Sequence, residues 1–485
     1  MTLRFRGNGT FRVLQMADIQ DGPNVNEDTI RLIREAIDVT EPDLIVLTGD
    51  QIRGYDPAYI DTFLRRRGDR PGEHIRSVTK FEAKVQGIHS EDVDPITAMN
   101  HTREKVRETF ASFLEPATTA GVPFAATYGN HDFQCGILAD EQDDIYREFP
   151  GCLNPRCGSD APATPNEPNA LNAPAKNSAD PLACEPGTFA LPVEASDGSG
   201  RIAMSVMMVN SGDYAGDGGD EDGEPGPYLN TEDQERKHPI TFSLYSQHAR
   251  TIDLADSSGY GTPSPEAIAW LGDVQRHLGE SNGDGKPVPA IAFQHIPSQE
   301  FYQCLREVPA WTPYAVEGTR TFAGKCYLLD ESKCRPGSLL GESIGCADTN
   351  CGEVEAMREA GGYFALFAGH DHKNAFVGHV DGLDLGYAPT CGFTSYGPKS
   401  ALRGIRLFTF HEDDPAAYDT RMLTWGELIG GRSANEVRVF VGDHLVTDGA
   451  SMRNELRKPP VLATLTLTVA DIAHVLWHSV FRRRR

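Results

Sequence analysis

The sequence predicts an α/β protein with a largely parallel sheet, and three observations support this fold class. Short apolar runs such as FRVLQM and DLIVLT, at residues 11–16 and 43–48, read as buried strands. Segments with apolar residues at helical spacing alternate with these strands. Side chains that can bind a metal follow several of the strands directly. Strands that alternate with helices form βαβ units, in which successive strands lie parallel.

The elements of the first part follow this alternation in order. NEDTIRLIREAIDVT, residues 26–40, has the periodicity of an amphipathic helix between the first two strands. Residues 101–121 predict a second helix that ends near Gly121, and VPFAATY, residues 122–128, predicts a third strand. The first 130 residues therefore predict two consecutive βαβ units.

The second part is richer in strands. GTFALPV and RIAMSVMMVN, residues 187–193 and 201–210, predict a strand pair that enters a second sheet. The remaining predicted elements are helices at SPEAIAWLGDVQRHL and EVEAMREAG and strands at PAIAFQH, YFALFAG, AFVGHV, LDLGYA and IRLFTFH.

Two segments interrupt the pattern and are predicted to be insertions, namely residues 151–185 and 302–352. The prediction for domain organisation is one main domain of residues 1–412 and a C-terminal appendage of residues 413–485 that ends in an amphipathic helix. Ten cysteines lie mostly in loop-like sequence. Reduced thiols are favoured, with disulfides or a structural zinc as alternatives.

Charge and terminal sequences restrict the partners. The 45 basic and 70 acidic residues give a net charge of -25, so nucleic-acid binding is not expected. The N-terminus has no apolar segment of a secretory signal, which predicts a cytoplasmic protein. VLATLTLTVADIAHVLWHSVFRRRR, at the end of the chain, predicts a surface helix docked on the domain. Peripheral membrane association through this helix is the alternative.

Five predicted strands are each followed by metal-capable side chains. These are Asp18 and Gln20, Asp50, Asn130 and His131, His295, and finally His370 and His372. In open α/β sheets the site lies outside the carboxyl ends of the strands, so we expect these loops to converge on one crevice. A single Gly-Asp pair after a strand is usually only a turn, but five such motifs in order favour a metal site.

This ordered set resembles the calcineurin-like metallophosphoesterases, whose pattern runs D-x-H, G-D, G-N-H-D/E, H and G-H-x-H. The resemblance spans about residues 11–410. Within the superfamily, LQMAD, PDLIVLTGDQIRG, TYGNHD, NSGDY, QHIP and GHDHKN are similar to the purple-acid-phosphatase-29-like branch. The resemblance implies a four-layer αββα sandwich of two mixed sheets flanked by helices, with residues 1–412 as its catalytic domain.

The resemblance also implies a dinuclear metal centre. The first ion would be held by Asp18, Gln20 at the usual histidine place, Asp50 and His372. The second would be held by Asp50, Asn130, His295 and His370. Asp50 would bridge two ions that lie roughly 3.5–4 Å apart. The ions would be divalent or mixed-valence, and imidazole ligands suit manganese, iron or zinc.

The implied function is hydrolysis of a phosphomonoester by attack of metal-bound hydroxide. His131 would act from the outer sphere, by stabilising the developing charge or protonating the leaving oxygen, and Asp50 is the other residue expected to be essential. Asp213, Tyr214 and Tyr396 are expected to line the substrate site. The alternatives are a phosphodiesterase, acting on a cyclic nucleotide or phospholipid headgroup, and a non-catalytic, metal-poor binding protein on the same scaffold.

Gln20 departs from the family pattern. Its amide oxygen can coordinate a metal, but it is a harder and weaker ligand for zinc or iron than imidazole. We therefore expect the first site to hold its ion more loosely, to favour manganese or to exchange the ion.

Overall fold

The structure is a computed structural model that describes residues 2–63, 83–85, 87–88, 93–157, 182–214, 259–446 and 449–481. It has four layers, in the order helices, sheet, sheet, helices, and this confirms the αββα sandwich expected from the sequence. Residues 158–181 of the first predicted insertion lie outside the described part of the chain.

The strands agree closely with the apolar runs of the sequence. In chain order they are β1 (Leu3–Arg4), β2 (Thr10–Met16), β3 (Leu44–Thr48), β4 (Phe124–Thr127), β5 (Ala183–Glu185), β6 (Thr188–Glu194), β7 (Ile202–Met208), β8 (Ala290–Phe293), β9 (Leu305–Val308), β10 (Val316–Glu317), β11 (Cys326–Leu329), β12 (Tyr363–Ala368), β13 (Val377–Val380), β14 (Leu383–Tyr387), β15 (Gly404–His411) and β16 (Asp419–Thr424). Every strand predicted from the sequence is confirmed, whereas β1, β5, β9, β10, β11 and β16 were not predicted.

These strands form two large mixed sheets. The five-stranded sheet has the order β16-β15-β2-β3-β4, with β2, β3 and β4 parallel. The eight-stranded sheet has the order β1-β6-β7-β8-β12-β14-β13, and β5 pairs with β6. Its central strands β7, β8, β12 and β14 are parallel. In each sheet, therefore, the carboxyl ends of the parallel strands lie on one edge.

Helices cover the outer faces of the two sheets, and further helices follow β16 along the chain. They are α1 (Glu27–Thr40), α2 (Pro95–Ala120), α3 (Ala139–Tyr146), α4 (Pro265–Asn282), α5 (Glu353–Ala360), α6 (Trp425–Leu428), α7 (Glu436–Asp443), α8 (Gly449–Leu456) and α9 (Pro459–Phe481). The predicted helices are confirmed, but α2 begins six residues earlier than expected. Its true N-cap is Asp94, whose carboxylate accepts hydrogen bonds from the backbone N–H groups of Ile96 and Thr97.

Apolar side chains fix how the layers stack. Phe11 and Val13 of β2 and Val46 of β3 pack against Ile291 of β8 and Phe367 of β12 in a core between the sheets. A second core joins α1 and α2 to the five-stranded sheet, and a third joins α4 and α5 to the eight-stranded sheet. Because these cores fix the position of one sheet relative to the other, the strand ends of the two sheets meet in a fixed arrangement.

The second predicted insertion contains a small sheet of its own. β9, β10 and β11 form an antiparallel sheet in the order β10-β11-β9. All ten cysteines of the chain lie in the described residues, and none of them forms a disulfide there. Burial raises the pKa of several of them, Cys152 and Cys346 among them, to about 12.

The chain after residue 412 begins with a strand of the main fold. β16 pairs antiparallel with β15 and forms an edge of the five-stranded sheet. Further on, α9 exposes large apolar side chains, including Leu467, Val469 and Trp477. Within the described residues, no helix has the length and apolar character needed to cross a membrane.

A buried arginine fixes the loop that precedes β15. The guanidinium of Arg403, whose side chain is fully buried, donates hydrogen bonds to the backbone carbonyls of Pro398, Gly392 and Ser395. This one side chain therefore holds the 392–398 segment against the sheet, and that segment includes Tyr396.

We expect Arg403→Met to lower the free energy of unfolding by about 3 kcal/mol or more, because three buried carbonyls lose a charged donor. Urea denaturation followed by circular dichroism measures this change. Arg34→Met is the matched control, since Arg34 forms only an exposed ion pair with Glu115 and should contribute at most about 1 kcal/mol. Equal effects of the two substitutions would contradict the role assigned to Arg403.

Candidate metal centre

The metal-capable motifs of the sequence all lie at one edge where the two sheets meet. From the five-stranded sheet come Asp18 and Gln20 after β2, Asp50 after β3, and Asn130 and His131 after β4. From the eight-stranded sheet come His295 after β8, and His370 and His372 after β12. All of these side chains except His131 are buried. The structure thus brings together every predicted ligand in one crevice.

The backbone at the crevice takes an unusual conformation. Asp18, Gln20, Asp50 and His370 all have positive φ angles, between 48° and 72°. Residues other than glycine rarely adopt this left-handed region, and such strain is concentrated at functional sites. Only glycine fits directly before Asp50, because a Cβ atom on Gly49 would lie 2.6 Å from Nδ1 of His295.

Asp50 is shared by two groups of possible metal ligands. In the first group, ligand atoms of Asp50, His295 and His370 lie within 4.8 Å of one another. In the second, the same holds for Asp18, Asp50 and His372. A carboxylate common to two such groups has the arrangement of a bridge between two ions.

Asn130 completes the first group. Its Oδ1 lies 3.2 Å from Nε2 of His295, and this nitrogen is also 3.2 Å from Oδ2 of Asp50 and 3.3 Å from Nδ1 of His370. Nδ1 of His295 is 2.9 Å from the backbone carbonyl of Thr48. A carbonyl can only accept, so Nδ1 carries a hydrogen, and Nε2 faces the other three atoms. Nε2 donates to the Asp50 carboxylate when the imidazole is protonated, and its lone pair becomes a metal ligand once a cation displaces that proton.

The second group shows the same arrangement around Asp18. Nδ1 of His372 donates to the backbone carbonyl of Tyr396 at 2.7 Å, so its Nε2 lone pair faces Oδ1 of Asp18 at 3.3 Å. Gln20 donates through Nε2 to Oδ2 of Asp50 at 3.3 Å. Its buried Oε1 has no hydrogen-bond partner among the described residues and is available as a ligand.

The residues present therefore fit divalent cations. Lone pairs of carboxylate, amide and imidazole groups converge at short distances, and they repel one another unless a cation or a proton lies between them. Mixed nitrogen and oxygen ligands of this kind suit manganese, iron or zinc.

The charges at the centre depend on one another. Burial opposes ionisation of Asp50, but the imidazoles of His295 and His131 outweigh it and hold the pKa of Asp50 below its usual value. Burial disfavours a charged His295, but the Asp50 carboxylate reverses this effect and raises the pKa of His295 to about 9. Burial and the neighbouring His295 lower the pKa of His370, so this imidazole is neutral.

His131 lies at the mouth of the crevice. Its side chain is 21% exposed, and its Nε2 is 4.0 Å from Oδ2 of Asp50. Its backbone N–H donates to Oδ1 of Asp50 at 2.7 Å. Nδ1 of His131 is 2.8 Å from Oε1 of Gln134, which can only accept. Gln134 is thus the residue that orients His131, a role that the sequence did not reveal.

Asp132 orients the backbone instead of a side chain. Its two carboxylate oxygens accept hydrogen bonds from the backbone N–H groups of Asp50, Gln51, Ile52 and Gly129, at 2.8–3.1 Å. This one carboxylate therefore ties the loop after β3 to the loop after β4. Asp50 and Asn130, which those loops carry, are held in place together.

Tyrosines form part of the wall of the crevice. The hydroxyl of Tyr214 accepts a hydrogen bond from Nδ2 of Asn130 at 2.8 Å, which directs Oδ1 of Asn130 towards His295. Tyr396 stacks on His372 with ring centroids 4.1 Å apart. Tyr260, which the sequence did not identify, contacts His370 edge-on at 4.3 Å. Asp213 precedes Tyr214 and pairs through its backbone carbonyl with the N–H of Gly261.

Comparisons with known proteins agree with this geometry. Residues 11–161 match the family described as calcineurin-like phosphoesterase. Two relatives from Arabidopsis thaliana are called probable inactive purple acid phosphatase 28 and probable inactive purple acid phosphatase 29. They are 23% and 22% identical to this chain, across 84% of it and 77% and 78% of their own length.

A solved structure described as a dimetal phosphatase from Danio rerio also matches, over 86% of this chain and 99% of its own. Its TM-score of 0.39 and identity of 12% are too low to add to the fold assignment. The ordered motifs, their convergence and the family match agree with one another. This chain is similar to the calcineurin-like phosphoesterases over residues 11–161, and to purple-acid-phosphatase-like relatives over 84% of its length.

Proposed function

We propose that this protein is an active phosphomonoesterase that uses two divalent cations. The observation that carries the proposal is the position of Asp50, which is common to both groups of ligand atoms and lies 4.0 Å from the imidazole of His131. One ion would be held by Asp18, Gln20, Asp50 and His372, and the other by Asp50, Asn130, His295 and His370. Cations bound there would polarise the phosphoryl oxygens of the substrate and supply an activated water.

The remaining chemistry is assigned to His131. Because its Nδ1 donates to Gln134, the protonated imidazole carries its second hydrogen on Nε2, on the side of Asp50. Nε2 can therefore donate to a phosphoryl oxygen or deliver a proton to the leaving oxygen of the ester. Partial exposure of this side chain leaves room for a substrate at the mouth of the crevice.

One observation favours the alternative of a non-catalytic binding protein, namely the word inactive in the names of both plant relatives. In this chain, however, Asp18, Asp50, Asn130, His131 and the three later histidines are all retained. The ligand groups are also assembled. These residues support activity, and an assay with aryl monoester and diester phosphates under Mn²⁺, Zn²⁺ or Fe²⁺ decides between monoesterase, diesterase and no turnover.

Asp50→Asn should remove both bound ions and lower kcat/KM by at least about 10³-fold, because both ligand groups lose their common carboxylate. Elemental analysis of the purified protein and a monoester assay measure the two effects. Asp28→Asn offers a control, since Asp28 is a buried aspartate in the first turn of α1 whose carboxylate accepts hydrogen bonds from Ser433 and Ala434, outside the metal centre. Retention of two ions per chain by Asp50→Asn would refute the bridging role.

His131→Ala should lower kcat by roughly 10²–10⁴-fold and leave the metal content unchanged. The loss should be smaller for an aryl ester than for an alkyl ester, because a good leaving group needs less protonation. Gln134→Ala should reduce kcat less, since it only removes the orientation of the imidazole. Equal losses for aryl and alkyl esters would show that His131 does not act as the acid.

Gln20→His should raise the affinity for Zn²⁺ of the site that Gln20 shares with Asp18, Asp50 and His372. It should also slow the exchange of that ion, because imidazole replaces an amide oxygen. Competition with a fluorescent zinc chelator measures both quantities. If the affinity for Zn²⁺ is the same with either residue, Gln20 does not cause weaker metal binding at this site.

A further inference from the structure

The helix α9 is not packed against the rest of the domain over residues 462–474. Every side chain in this stretch is exposed. The large apolar side chains among them are 46–67% exposed, and they are Leu462, Leu465, Leu467, Val469 and Ile472. A protein rarely leaves so many apolar side chains together in water unless they bind a partner. This stretch of α9 is therefore a candidate interaction surface.

Four of these side chains form a stripe on one side of the helix. Leu462, Leu465, Val469 and Ile472 follow one another at spacings of three, four and three residues. Residues with this spacing lie on the same face of an α-helix. We call these four residues the apolar stripe.

The opposite side of α9 carries a polar stripe. Thr464, Thr468, Asp471 and His474 follow one another at spacings of four, three and three residues, which places them on one face as well. An exposed helix with one apolar and one polar side is typical of a helix that lies in the surface of a membrane.

The threonine hydroxyls of α9 form their hydrogen bonds within the helix. Thr464 and Thr468 donate to the backbone carbonyls of Pro460 and Thr464, at 2.9 Å and 2.8 Å. Thr466, at the margin of the apolar stripe, donates to the carbonyl of Leu462 at 2.8 Å. These hydroxyls need no water as an acceptor, which lowers the cost of placing the helix in lipid.

The charge of this segment differs from that of the whole chain. Residues 459–485 contain one acidic residue, Asp471, and residues 482–485 are four arginines. The whole chain has a net charge of -25. The segment is thus basic although the protein is acidic. Basic residues beside an amphipathic helix are attracted to anionic lipid headgroups.

We propose that α9 binds to the surface of an anionic lipid membrane, with the apolar stripe among the acyl chains and the polar stripe facing the headgroups. Trp477, farther along the helix, is 62% exposed and is of a residue type that is enriched at the boundary between lipid and water. No residue of this surface belongs to the metal centre, so the proposal does not rest on the proposed phosphatase activity.

A second copy of the chain fits the apolar stripe less well than lipid does. Helices that pair as a coiled coil repeat their apolar pattern over three or four heptads and carry charges beside it. The apolar stripe spans only residues 462–472, and the sequence of α9 contains no lysine, arginine or glutamate that could select a partner helix. A lipid surface requires neither feature.

Co-sedimentation of the full-length protein with lipid vesicles tests the proposal. We expect binding to vesicles of phosphatidylcholine and phosphatidylserine. Binding to vesicles of phosphatidylcholine alone should be weaker, because the arginines then have no anionic lipid to attract them.

The double variant Leu465→Gln/Ile472→Gln should lower the partition coefficient at least about tenfold, since two apolar side chains of the stripe no longer favour lipid. Thr464→Gln/Thr468→Gln is the matched control, because it places the same residue type on the polar side, and it should bind normally. All four positions are exposed, so both variants should keep the fold of the domain, which circular dichroism checks.

Three outcomes would overturn the proposal. If the protein sediments with neither kind of vesicle, lipid is not the partner. If the two double variants lose binding equally, the apolar stripe does not direct it. If the protein binds no vesicles and Leu465→Gln/Ile472→Gln converts a dimer to a monomer in light scattering, a second copy of the chain covers the stripe.

Discussion

The carboxylate of Asp50 is the group on which the rest of the site depends. It is buried, it lies in a left-handed backbone conformation, and one of its oxygens accepts the N–H of His131. Its other oxygen faces His295 and Gln20. An ionised carboxylate is costly to bury alone, so cationic or protonated neighbours are required. The fold provides one by bringing His295 from the other sheet to 3.2 Å from Asp50.

That arrangement depends on the core between the sheets. Asp18, Asp50 and Asn130 belong to the five-stranded sheet, whereas His295, His370 and His372 belong to the eight-stranded one. The site therefore exists only while Phe11, Val13 and Val46 stay packed against Ile291 and Phe367. Around the ligands, Asp132 ties two loops of one sheet together, and Thr48 orients His295 across the boundary between the sheets. The backbone carbonyl of Tyr396 orients His372 in the same way, and the buried Arg403 holds the loop that contains Tyr396.

The sequence predicted the fold and the convergence of the ligands because both follow from local patterns. Apolar runs marked the strands, and the polar residues behind them had to lie at one edge of each sheet. Side-chain contacts made by loop residues are not marked by any such pattern in the sequence. Gln134 orients His131 from a 3₁₀ turn, where a spacing of three residues carries no distinctive signal. Tyr260 contacts His370 from a segment far away in the chain, and no sequence spacing connects the two residues. The domain division at residue 412 and the catalytic roles stay predictions.

The measurement that tests the account most directly is anomalous X-ray diffraction from crystals grown with Mn²⁺. We expect two anomalous peaks roughly 3.5–4 Å apart, one on each side of the Asp50 carboxylate. The peak on the side of Asp18 and Gln20 should have the lower occupancy. A single peak, or two peaks that do not share Asp50, would contradict the central claim that this carboxylate bridges a dinuclear centre.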